Sequence, residues 1–297
     1  MLKIILTLLL IGISINIKAD FLYAQTWSSP TSINVFDINA GGTLVNSYSL
    51  GYGNDGEIAL RENGHLYATG YGVADFTVLD VSTGNQIKTV ANHGASDSFT
   101  FGHDDNIYAM GWGDTSIYVI NPDSGSLIRT FDSYSFSGSM VFGDDGLLYA
   151  SDDDDTNLVR VFDPVSGLLV RSFNNLDSGN TLAFGQDGLL YSSGWEVDAV
   201  FGFDPISGAL LNRIDMQHNV GGIAFDSNGF LYVEDDEASD YIRVYDPESG
   251  ALINSFSALG AGSTLVIPQV PLPASVWLFG SALIGLIGRK HLSRKVA

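Results

Sequence analysis

Between Gly138 and Phe173, apolar and polar positions alternate in four short runs, each closed by Gly, Asp or Pro. Ser139 to Phe142 ends in the turn Gly143-Asp144-Asp145-Gly146, and Leu147 to Ala150 follows. After an acidic loop come Leu158 to Phe162, the turn Asp163-Pro164-Val165-Ser166-Gly167, and Leu168 to Phe173. A period of two in β-branched and aromatic residues between such turns predicts a meander of half-buried strands.

The unit recurs along the chain. A Leu/Ile-Tyr pair places Tyr23, Tyr67, Tyr108, Tyr149, Tyr191 and Tyr232 at spacings of 44, 41, 41, 42 and 41 residues. A strand-ending turn keeps the same beat at Asp37–Gly41, Asp80–Gly84, Asn121–Gly125, Asp163–Gly167, Asp204–Gly208 and Asp246–Gly250. Units of this length with four strands each (A to D) predict β-propeller blades, in preference to an open β-solenoid with its shorter repeats. The ends set the count. Phe21-Leu22-Tyr23 reads as a B strand with no A strand before it, and Ser263 to Ile267 reads as an A strand with no B strand after it. Three N-terminal strands plus one C-terminal strand would complete a sixth blade and remove the exposed edges.

Composition fits an all-β globular protein: 45% hydrophobic residues, 34 Gly and no cysteine. Disulfides, zinc-thiolate sites and cysteine nucleophiles are therefore excluded. The formal charge is −21. Of the 13 Lys/Arg, six lie near the termini (Lys3, Lys18, Arg289, Lys290, Arg294 and Lys295), so the repeat region is more acidic still. Such a surface repels phosphate backbones, excludes nucleic acid as a partner and suits a salty or cation-rich medium.

Residues 1–19 have an early lysine, an apolar run and Ala19 before Asp20, the layout of a secretory signal peptide read by the Sec translocon. A membrane anchor competes with this reading, but the apolar run is short for a span. Residues 20–268 form the propeller and 269–297 the tail. The tail joins Val270-Pro271-Leu272-Pro273-Ala274 to an apolar stretch from Val276 to Gly288, followed by Arg289-Lys290-His291. Physically this is a stiff linker, a marginal membrane helix and a basic stop that stays cytoplasmic.

Two resemblances follow. Copies such as Gly222-Ile223-Ala224-Phe225-Asp226-Ser227-Asn228-Gly229-Phe230-Leu231-Tyr232 look like the NHL and YVTN-type propeller repeats of extracellular and surface proteins. The tail closely resembles the PEP-CTERM sorting signal in its VPLPA variant. That resemblance implies processing by an exosortase, an integral-membrane transpeptidase of Gram-negative bacteria. It also implies a transient inner-membrane anchor before release to the cell surface or the extracellular space.

Candidate chemistry is sparse. Inner-strand positions facing the channel are Glu57, Ser98, Ser139, Thr181, Gly222 and Thr264, then Ala59, Thr100, Val141, Ala183, Ala224 and Val266. Propeller lactonases and lyases ring a central metal with several oxygen or nitrogen donors. Only Glu57 among these positions ionises, and it is expected to be solvated at the channel mouth. His65, His93, His103 and His218 are scattered among loops and read as surface residues, while the repeated tyrosines read as core. The B–C loops vary most between copies. Trp27, Tyr71, Trp112 and Trp195 there suggest stacking on sugar faces. Asp152, Asp153, Asp154 and Asp155 suggest Ca²⁺, although the run lacks EF-hand spacing and its glycine, and a solvated acidic loop competes.

The expectation is a secreted six-bladed propeller, sorted by exosortase to the cell surface or exopolysaccharide matrix. It would act as a non-catalytic binding or structural module for a polysaccharide or protein. An extracellular lyase or lactonase is the alternative.

Overall fold

The computed structural model describes residues 20–268, apart from 27–29, 52–55, 62, 71–72, 95–97, 112–114, 134–136, 153–156, 177–178, 195–196, 217 and 236–239. The signal-peptide and sorting segments expected at residues 1–19 and 269–297 therefore lie outside the described residues.

Six four-stranded antiparallel sheets make up the fold. Blade 1 is Ile58–Leu60, His65–Ala68, Asp75–Asp80 and Gln86–Ala91, and blade 2 is Ser98–Phe101, Ile107–Met110, Ser116–Ile120 and Leu127–Asp132. Blade 3 is Ser137–Phe142, Leu148–Asp152, Leu158–Phe162 and Leu169–Asn174, and blade 4 is Gly179–Phe184, Leu190–Gly194, Ala199–Phe203 and Leu210–Asp215. Blade 5 is Val220–Phe225, Leu231–Asp235, Tyr241–Asp246 and Ala251–Ser257. Blade 6 takes its A strand, Ala261–Val266, from the C-terminal side and its B, C and D strands, Phe21–Thr26, Ser32–Asp37 and Thr43–Ser49, from the N-terminal side. The join is in register, with Tyr23 opposite Val266 and Ala24 opposite Leu265. The chain is a six-bladed β-propeller closed by a three-plus-one clasp.

Apolar side chains gather in six seams, one between each pair of neighbouring blades. Alternation along a strand supplies two seams at once. In blade 1, Leu66 and Ala68 pack with Tyr23 and Ile33 of blade 6, while Tyr67 between them packs with Phe99 and Ile107 of blade 2. Aromatic pairs repeat across the seams: Tyr67–Phe101, Tyr108–Phe142 and Tyr149–Phe184 meet near edge-on, with centroids 5.0, 5.0 and 5.2 Å apart. Such pairs contribute about 0.5–1.5 kcal/mol each beyond area burial.

The C–D turn shows why the Asp-x-x-x-Gly signature recurs. Asp163 Oδ1 accepts the amides of Val165 and Ser166 at 2.7 and 3.1 Å, and Gly167 N returns to the Asp163 carbonyl at 2.8 Å. Asn121 does the same with Asp123 and Ser124, so a neutral amide serves as well. The closing glycine has positive φ, and in blade 4 it is also crowded. A Cβ on Gly208 (φ 70°) would lie 2.3 Å from Cβ of Phe173 in blade 3. In all six blades the C–D pairing slips by a residue beside this turn, as where Val161 pairs Arg171 and Phe162 pairs Leu169. Such bulges add the twist each blade needs.

Turn amides hold the carboxyls of Asp163 and Asp204 below their ordinary value of 3.8, and the Ser82 hydroxyl, with turn amides, does the same for Asp80. A depressed folded-state value stabilises the fold above the unfolded value near pH 4, and that contribution is lost as pH falls through the folded value. Thermal stability should therefore drop on acidification from pH 5 to below 3. A variant with Asp80, Asp163 and Asp204 all replaced by Asn should drop less steeply; equal slopes in scanning calorimetry would contradict this origin.

Candidate functional site

Strand direction defines two faces. The A–B and C–D turns share the lower one; the B–C and D–A loops share the upper one. Arg61, in an A–B turn, illustrates the shared lower face. It forms ion pairs with Asp105 of the next A–B turn and, at 2.8 Å, with Asp123 of the next C–D turn. The guanidinium holds both carboxyls below their ordinary range.

The central channel has a volume of about 520 Å³ and is lined by A strands from all six blades. Glu57, Thr181 and Thr264 stand toward its upper mouth, and Asp144 and Gln186 toward its lower mouth. The uppermost A-strand positions turn out to join blades. Glu57 Oε2 accepts the amide of Phe99 in blade 2 at 2.6 Å. Ser139 Oγ accepts the amide of Leu182 in blade 4 at 3.1 Å, and Thr264 donates to the Gly56 carbonyl at 3.0 Å. Glu57, half-buried where it lines the channel, thus also serves as an inter-blade strut. Its partner lies on the next blade, so no local pattern reveals it. Among the described residues the channel presents hydroxyls, aliphatic and aromatic side chains, the Gln186 amide and the carboxylates of Glu57 and Asp144. Among the described residues, no group of three or more His, Asp or Glu is placed to hold a metal ion.

A second set of inter-blade links runs round the lower rim. Tyr149 donates to Asp145 Oδ2 at 2.8 Å, and Arg171 donates to the Tyr149 hydroxyl at 2.7 Å and to the Pro205 carbonyl of blade 4 at 3.0 Å. Asn212 repeats the arrangement, reaching the Tyr191 hydroxyl at 3.1 Å and the Pro247 carbonyl of blade 5 at 2.7 Å. Lys88 reaches the Pro122 carbonyl at 2.9 Å, and Arg129 reaches that of Val165. Burial, with the neighbouring Asp carboxylates adding to it, pushes the Tyr108 and Tyr149 hydroxyls up to about 12, so both stay protonated donors. Tyr67, Tyr108, Tyr149 and Tyr191 are seam residues with an anchored tip.

Two blades differ at the upper end of the B strand. Asp152 of blade 3 is 1% exposed and forms an ion pair with Arg160; Asp235 and Arg243 form the same pair in blade 5. In blade 1 the corresponding positions are Gly70 and Thr77, and in blade 4 Gly194 and Phe201. The first member of the proposed calcium run is therefore committed to a guanidinium inside the blade. Asp153, Asp154 and Asp155 lie outside the described residues.

With Arg61, Lys88, Arg129, Arg160, Arg171, Arg213 and Arg243 accounted for, every Lys and Arg of the propeller is engaged. Arg213 pairs with Asp215 at 2.7 Å and covers the Phe201 ring. Among the described residues each Lys and Arg has a carboxylate, carbonyl or ring partner, although Arg213 remains half exposed.

Trp27, Tyr71, Trp112 and Trp195 also lie outside the described residues, but their place in the repeat is fixed by the strands they follow. Each stands four residues after the B-strand tyrosine of its blade: Tyr23, Tyr67, Tyr108 and Tyr191. Blades 3 and 5, which carry the ion pairs, have Asp153 and Asp236 at that position. At this one step of the repeat the sequence has an aromatic residue in four blades and an aspartate in two.

Comparison with family models and with curated proteins found no match. Among solved structures, the chain is similar to a protein of unknown function from Bacteroides caccae. Identity is 14%, the TM-score is 0.67, and the match covers 85% of this chain and 100% of that one. At that identity the likeness shows the fold alone.

Proposed function

We propose that this propeller is a non-catalytic binding or structural module of a bacterial cell surface or extracellular matrix. Its upper face would engage a glycan or protein ligand through Trp27, Tyr71, Trp112 and Trp195. The observation that carries this reading is the shared repeat position of those four aromatics, four residues beyond a core tyrosine in four separate blades. Aromatic residues recurring at one step of several blades suit stacking on sugars, and an acidic surface suits a neutral polymer or one bridged by Ca²⁺. NHL-like repeats, and the export and sorting signals read at residues 1–19 and 269–297, belong to the same proposal. In it the chain crosses by the Sec translocon, is held in the inner membrane of a Gram-negative cell, and is processed by an exosortase-type transpeptidase at Val270-Pro271-Leu272-Pro273-Ala274, with Arg289 and Lys290 as the cytoplasmic stop.

Polysaccharide pull-down with and without Ca²⁺ tests the ligand. The double variant Trp112→Ala/Trp195→Ala should lose most binding, at about 1–3 kcal/mol per stacked ring by analogy with base stacking, while melting as the parent does. Undiminished binding by that variant would remove the site. An extracellular lyase is the competing reading, and turnover of the bound polysaccharide would favour it.

A further inference from the structure

The lower rim is not uniform. Two residues beyond the turn aspartate or asparagine stand Asn39, Ser82, Asp123 and Glu248 in blades 6, 1, 2 and 5, but Val165 and Ile206 in blades 3 and 4. Those two side chains are 83% and 76% exposed, and Leu168, just past the blade 3 turn, is 65% exposed. Other blades place Asn85, Ser126, Ala209 and Ala251 where Leu168 stands. The tips are held firmly: Arg129 grips the Val165 carbonyl, and Arg171 grips that of Pro205 beside Ile206. Exposed aliphatic side chains also stand at the start of the D strand in every blade, such as Ile87, Leu127 and Leu252, but only blades 3 and 4 add apolar projections at the turn tips themselves.

Both chain ends leave the ring on the same face. The Asp20 carbonyl accepts the amide of Ile38, in the C–D turn of blade 6. The last strand ends at Val266, and Ile267 lines the channel's lower part with Asp144 and Gln186. Only residues 269–275 separate Pro268 from the apolar stretch that begins at Val276. Fully extended, a tether of this length reaches roughly 25–30 Å. With Val276 in a bilayer, the lower face cannot leave the membrane surface by more than that reach.

Resting on the reading above that the tail is membrane-anchored, we infer that the anchored propeller seats the sector of blades 3 and 4 on the lipid surface, with Val165, Leu168 and Ile206 entering the headgroup region. The upper face, with its aromatic loops, then points away from the membrane. The acidic rim makes the preferred surface zwitterionic, because carboxylates beside the tips, Asp163 and Asp204, stay charged and repel anionic headgroups. A second copy is disfavoured as the occupant by the same excess of negative charge.

The chain has no cysteine, which makes the test direct. Full-length Val165→Cys, Ile206→Cys and Ser82→Cys variants, Ser82 being the blade 1 counterpart, are labelled with an environment-sensitive fluorophore and reconstituted into phosphatidylcholine vesicles. Labels at 165 and 206 should shift to the blue and be quenched by nitroxide lipids several-fold more than the label at 82. The contrast should shrink when phosphatidylglycerol is added. Equal emission at all three sites in vesicles that carry the protein overturns this inference alone. So does a blue shift at 165 and 206 that grows with protein concentration without vesicles, which marks contact between copies. A chain that fails to float with vesicles removes the anchored tail, and this inference with it.

Discussion

A chain ended after Gly260 is expected to lose the folded propeller, whereas one ended after Pro268 keeps it. The shorter chain lacks the inner strand of blade 6 and leaves Tyr23 and Ala24 without Val266 and Leu265 opposite them. It also removes Leu265 and Ile267 from the seam with blade 5, and the Thr264 link to Gly56. Two buried aliphatic side chains are worth about 1.5–3 kcal/mol each, and each lost ladder hydrogen bond about 1 kcal/mol. Together these approach the roughly 5–15 kcal/mol that holds a typical domain. The exposed B-strand edge would in addition invite association. Circular dichroism melts and gel filtration read the outcome: aggregation or a non-cooperative melt for the shorter chain. A cooperative melt within a few degrees of the longer chain would mean that the clasp contributes little.

The second large effect is expected at the blade 3 ion pair. Arg160→Thr leaves the buried Asp152 carboxylate without its guanidinium, and removal of one member of such a pair costs about 3–5 kcal/mol. In a domain of this size, each kcal/mol moves Tm by about 2–4 °C. The double variant Asp152→Gly/Arg160→Thr recreates the Gly70 and Thr77 of blade 1 and should recover much of the loss. Thermal melts of the three proteins give the comparison. A double variant less stable than Arg160→Thr alone would show that the carboxylate has a structural role independent of the arginine.

Much of the fold was legible because its signals are local. The tyrosine and the Asp/Asn-x-x-x-Gly turn mark each blade within 17 or 18 residues, and the strand types missing at each end imply the clasp. Other features depended on neighbours far away in sequence. Glu57 reads as a solvated carboxylate because its acceptor role is set by Phe99, 42 residues on. Asp152 reads as part of an acidic loop because the run hides its Arg160 partner. A signal was there: Asp and Arg eight residues apart recur in blades 3 and 5 and are replaced together in blades 1 and 4.

By itself the sequence determined the strands, their number and the closure, since period-two burial and turn chemistry operate within a few residues. It also determined the common repeat position of the four upper-face aromatics. Only the tertiary structure decided which polar groups are spent holding blades together. Glu57, Arg61, Asp152 and Arg171 take their roles from distances between strands or turns that the ring brings together. It likewise decided that the apolar tips at Val165 and Ile206 adjoin one another on the face where both chain ends emerge, because closing the ring sets which turns become neighbours.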